Sequence, residues 1–116
     1  MPGKDPDFAD IYGVGVHVVP DAHDTPRRNV VVHPRIDVVT VLGRTKQTQS
    51  YSEEDCVLSA RDDSCRLDLP GMFSTRFQHS IFRAHFANEN DCEFYGTLSE
   101  SETMNLRRFW DRMLGF

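Results

Sequence analysis

The sequence predicts an α+β domain: an antiparallel β-sheet of about six to eight strands packed against one C-terminal α-helix. Three observations carry this expectation. Valine-rich and alternating segments recur between glycine, proline and asparagine punctuation. Residues 99–114 combine helix caps, an ordered charge distribution and one apolar stripe. The chain has 116 residues, enough for one domain around one hydrophobic core.

The chain opens on an acidic, proline-containing stretch, read as a flexible lead over residues 1–10, with a single domain over 11–116. It has no apolar segment of the kind a secretory signal needs. In Tyr12–Val19, Tyr12, Val14, Val16 and Val18 fall on one face of a strand, and Gly13, Gly15 and His17 on the other. Glycines on that face suggest that a backbone or an aromatic ring packs closely there. Residues Pro20–Pro26 are loop by composition. Asn29–His33 and Ile36–Leu42 read as a hairpin, with Pro34 in the turn or at an edge because it cannot donate to a ladder.

Residues 44–79 show no dominant period and read as an insertion or loop. Thr45–Ser52 suggests a polar edge strand. Val57–Ala60 and Cys65–Leu69 suggest two short strands around Asp62-Asp63-Ser64, and Pro70-Gly71 a stop. Alternation then returns. Phe82, Ala84 and Phe86 alternate with Arg83 and His85, and Cys92, Phe94 and Leu98 with Glu93, Tyr95 and Thr97. With Asn88–Asp91 between them, these segments read as a second hairpin with one buried and one wet face.

The terminal segment is helical by several independent signs. Ser99 and Glu102 have the spacing of a capping box. Glu100 and Glu102 precede Arg107, Arg108 and Arg112, the order the helix dipole favours. Leu106, Phe109, Trp110 and Met113 share one face.

Composition narrows the function. The net charge is −5, which disfavours a bulk electrostatic grip on nucleic acid. Local basic clusters remain at Arg27, Arg28 and Arg35, and at Arg107, Arg108 and Arg112. No apolar run approaches the ~20 residues of a membrane span. Cys56, Cys65 and Cys92 are odd in number and irregular in spacing, so a disulfide framework is not expected and a reducing compartment is. His17, His23, His33, His79 and His85 show no metal-ligand spacing, and a zinc site would want local ligand pairs. Neither Cys56 nor Ser59 lies in a nucleophile elbow. Gly13-x-Gly15 is not a nucleotide fingerprint, because a strand follows it. No catalytic residue, metal or cofactor is therefore expected. A binding surface is left, with Arg27, Arg28, His33 and Arg35 in the early strands and Arg108 and Trp110 on the helix as candidate partner contacts. Tryptophan and arginine recur as interface hot spots.

The two ends of the chain together resemble a polo box, the module that follows the catalytic domain of polo-like kinases and occurs in related scaffold proteins. Asp7-Phe-Ala-Asp-Ile-Tyr-Gly-Val-Gly-Val-His-Val18 is similar to that family's first strand. Val30-Val-Val-His-Pro-Arg-Ile-Asp-Val-Val-Thr-Val-Leu42 is similar to its second and third strands. Phe94-Tyr-Gly-Thr-Leu98 and Met104-Asn-Leu-Arg-Arg-Phe-Trp-Asp-Arg-Met113 are similar to its last strand and its helix. Residues 44–79 have no counterpart. The family's phosphopeptide site does not carry over: Asp5 or Pro6 stands where a tryptophan is expected, and the phosphate-gripping His and Lys would fall near Asp37 and Val39.

The resemblance implies a non-catalytic protein-interaction or dimerisation box. It would belong to a scaffold or to the regulatory part of a kinase, and would be cytoplasmic or nuclear, in a cytoskeletal, centriolar or kinetochore assembly. The alternative is a pleckstrin-homology-like domain. Its strands and terminal helix have the same order, and Arg27, Arg28 and Arg35 would bind a phosphoinositide or a phosphopeptide.

Overall fold

Three consecutive valines, Val30–Val32, set the middle of the sheet. A run without polar alternation is suited to burial on both faces, and all three are buried. They belong to β2 (Arg27–Pro34), which turns back into β3 (Val38–Thr45) as the expected antiparallel hairpin. The computed structural model describes residues 4–19 and 27–115. The loop expected over Pro20–Pro26, with His23, lies outside them.

Around this hairpin stand β1 (Asp10–Val14), β4 (Cys56–Ser59), β5 (Gly71–Phe82) and β6 (Cys92–Thr97). The six strands of the described residues form one antiparallel sheet in the order β4-β5-β3-β2-β1-β6. Helix α1 (Glu100–Met113) packs on one face. There Leu106, Phe109 and Trp110 meet Ile11, Val30, Val32, Leu42 and Phe73. On the other face Tyr12, Val14, Val31, Val39, Val41, Ile81 and Cys92 are closed over by Phe86. Phe86 comes from a short 3-10 helix, Arg83–Ala87.

Several expectations are corrected. Residues 4–9 do not trail as a lead: Ala9 is fully buried and donates to Val31 O at 2.8 Å. Lys4 pairs with Asp10 at 2.6 Å, and Tyr12 Oη donates to Lys4 O. The first strand ends at Val14, and the chain turns after Gly15, where the sequence suggested extension to Val19. Segment 44–79 is not an appendage, since it supplies β4, most of β5 and the core residues Cys65, Leu67 and Phe73. Thr45–Ser52 is largely irregular. In place of a Cys65–Leu69 strand there is a 3-10 helix, Asp63–Cys65, closed by a single Asp62–Leu67 bridge.

The second hairpin does not form. Its two halves lie far apart in the strand order, β5 against β3 and β6 against β1. Pairing Val39 with Ile81 also reverses the expected phase, so Ile81 is buried and Phe82 is left 69% exposed. The long-range pairing outweighs local alternation because a one-residue shift exchanges the faces.

The glycine reading of the first strand holds. A Cβ at Gly13 would run into the Tyr95 ring. Tyr95 can lie there because it is the extra residue of a bulge: Ile11 pairs with Gly96 and Tyr12 with Phe94. Arg28 and Arg66 stack on that ring at 5.5 and 4.4 Å.

Candidate interaction groove between β4 and α1

The edge strand β4 is short, and the outward N–H groups on either side of its middle residue are taken. Thr75 donates to Asp55 O at 2.9 Å, which fixes the phase of the β4–β5 ladder. By antiparallel alternation, the backbone groups of Val57 and Ser59 face β5, while those of Cys56 and Leu58 and the N–H of Ala60 face outward. The Cys56 N–H turns to Ser52 O at 2.9 Å. The Ala60 N–H is taken by Glu102 Oε1 at 2.8 Å. Leu58 lies between these two closed positions.

That last bond revises the capping box. Ser99 Oγ accepts from the Glu102 N–H at 3.3 Å as expected, but the Glu102 carboxylate reaches Ala60 instead of returning to the cap. The helix start is thereby tied to the end of β4.

Two clefts follow the β4–α1 junction and share Asn105. The larger, about 520 Å³, is lined by Leu58, Ala60, Pro70, Ser101 and Glu102. The smaller, about 160 Å³, is lined by Tyr51, Glu53, Val57, Arg108, Phe109 and Arg112. From Ser101 to Arg112 the groove runs roughly 16 Å along the helix at about 1.5 Å per residue.

Arg44 shapes the wider end from beneath. It is buried, and its guanidinium donates to the carbonyls of Ser59, Ala60 and Leu69, the last at 2.7 Å. Burial lowers its pKa. It remains charged because arginine lies so far above neutral pH. These bonds hold the chain on either side of Arg61–Asp68 against the sheet and present Ala60 and Pro70 to the groove.

The predicted contacts do not form one patch. Arg27 and Arg35 lie at opposite ends of β2, roughly 25 Å apart at about 3.3 Å per residue. Arg27 stacks on Phe77 at 4.5 Å, and Arg28 on Tyr95 on the opposite face. His33 and Arg35 are exposed at the far tip, where Arg35 O accepts from Arg83 at 2.6 Å. Trp110 is 6% exposed and belongs to the core. Of the six, Arg108 alone lines the groove. The basic helix cluster is divided, with Arg107 over the Phe8 ring at 3.6 Å and Arg108 and Arg112 on the groove side. Nothing in the sequence marked Tyr51, Leu58 or Pro70 as groove residues, since that role depends on chain segments meeting across the fold.

One further polar constellation joins distant segments of the chain. His17 Nε2 and His85 Nδ1 lie 2.6 and 2.9 Å from the two oxygens of Asp91. This ties the turn after β1 to the Arg83–Ala87 helix, and it holds the Asp91 carboxyl below the usual range, His85 contributing most. Among the described residues, no set of three or more His, Cys, Asp or Glu side chains is placed to hold a metal ion. Cys56, Cys65 and Cys92 are all buried and unpaired.

No family model matches the sequence, and no curated protein matches it.

Proposed function

We propose that this chain is a non-catalytic protein-interaction domain of polo-box type, which docks protein partners and self-associates within a scaffold or kinase assembly. The observation that carries the reading is the open groove between β4 and α1, with backbone, apolar and cationic groups along one line. Six antiparallel strands followed by one helix also support it. The pleckstrin-homology-like alternative loses its suggested anion site, because Arg27, Arg28 and Arg35 do not converge.

Selection from a displayed library of protein fragments tests the reading, with affinities measured by calorimetry and mass by light scattering. Fragments binding tighter than about 1 mM are expected, with mass rising above the monomer as concentration increases. A strict monomer that selects no fragment would discard the proposal.

A further inference from the structure

We propose that the β4–α1 groove takes an extended acidic peptide by strand addition: an apolar residue pairs with Leu58, and the carboxylate next to it reaches Arg108 and Arg112. This rests on reading the chain as a protein-interaction domain and adds the chemistry of the partner.

The backbone sets the register. Cys56 and Ala60 have spent their outward N–H groups on Ser52 and Glu102. The outward N–H and C=O of Leu58 therefore mark the place where an added strand gains a reciprocal pair of bonds with one residue.

The pleat then assigns the side chains. Val57 packs on the α1 side of the sheet. Leu58, its neighbour, therefore points its side chain to the opposite face, where it is 52% exposed, and borders the groove through its backbone edge. A residue paired with Leu58 shares that face and gains by being apolar. The next residue stands opposite Val57 and points toward α1, into the cleft with Arg108 and Arg112. In an antiparallel peptide the order is apolar, then acidic.

Electrostatics chooses the second residue. Arg108 has neither a hydrogen-bond nor a carboxylate partner among the described residues. Arg112 donates to Glu53 O at 2.6 Å and stacks on Phe109 at 5.8 Å. Neither lining acid forms an ion pair with these arginines among the described residues: the Glu102 carboxylate is bonded to Ala60, and Glu53 meets Arg112 through its carbonyl. Two guanidiniums one helical turn apart suit a carboxylate. A second copy of the chain does not complete the site. Paired through its own Leu58, it would set Ser59 opposite Val57, with no anion for the arginines.

The test is an NMR titration of the labelled protein with an acetylated, amidated peptide carrying one Val-Glu pair among threonines. Shifts should centre on the amides of Leu58 and Asn105 and on the Arg108 side chain. Replacing the peptide glutamate by glutamine, or Arg108→Gln in the protein, should weaken binding about tenfold. N-methylation of the peptide valine, which removes its bond to Leu58 O and leaves the protein untouched, should abolish it. Equal affinity of the N-methyl or glutamine peptide overturns the proposal, as does a parent peptide that moves no groove amide. Should selected fragments bind while the groove amides stay still, this inference fails and the protein-interaction reading stands.

Discussion

Replacing Gly96 with alanine should remove a large part of the stability of this domain. Gly96 has φ +144°, backbone that L-residues rarely adopt. An added Cβ would sit 2.6 Å from Ser64 O and 2.8 Å from the buried Cys65 Cβ. Neither neighbour can give way easily. The Ser64 N–H is held by Asp62 Oδ1 at 3.0 Å, and Asp62 and Leu67 exchange backbone bonds at 2.8 and 2.9 Å. Backbone strain of about 1–3 kcal/mol adds to overpacking of about 1–3 kcal/mol, for a total near 4 kcal/mol. A domain of this length has roughly 6–17 kcal/mol in all.

Urea unfolding reads the effect directly. With a slope of about 1.5 kcal/mol/M, the midpoint should fall by roughly 2–3 M. Gly13→Ala is the internal comparison. Its Cβ meets only the outer end of the half-buried Tyr95 ring, which can swing aside. The loss is then the two arginine stacks, about 1–2 kcal/mol together. A Gly96→Ala midpoint within about 0.5 M of the parent at unchanged slope, or a larger loss for Gly13→Ala, would refute the reasoning.

Other outcomes follow from the same geometry. Trp110→Ala should cost about 3–5 kcal/mol in the same assay and Arg108→Ala less than about 0.5 kcal/mol; similar losses would mean that the core assignment of Trp110 is wrong. The lowered Asp91 pKa contributes stability that is complete above the ordinary carboxylate range, about 3.9, and is lost as pH falls through the lowered value. Asp91→Asn should therefore flatten the fall of melting temperature below about pH 4, and an unchanged slope would count against the His17–Asp91–His85 tie. Burial pushes the thiols of Cys65 and Cys92 up to about 12, so neither should be alkylated in native protein near pH 8, whereas both should react in denaturant; labelling mapped by mass spectrometry decides it.

Much of the fold was legible because it is encoded locally. The Ser99 cap, the acid-to-base order and the Leu106/Phe109/Trp110 spacing all lie within one stretch of chain, and α1 forms where they indicate. The β2–β3 hairpin needs only a short turn between two valine runs. Gly13 signalled a close approach without naming Tyr95 as the side chain that makes it.

The fold class, the helix and its buried stripe, the central hairpin and the buried state of Cys92 were determined by sequence alone. Tertiary structure alone decided that β5 joins β3 while β6 joins β1, that Ile81 and not Phe82 faces inward, and that Arg27, Arg28 and Arg35 part company. It also decided that Arg108 meets an edge whose open position is Leu58. Periodicity reports which neighbours along the chain share a face. It carries no information about which distant strand supplies the partner, and the groove exists only because β4 and α1, distant in sequence, meet.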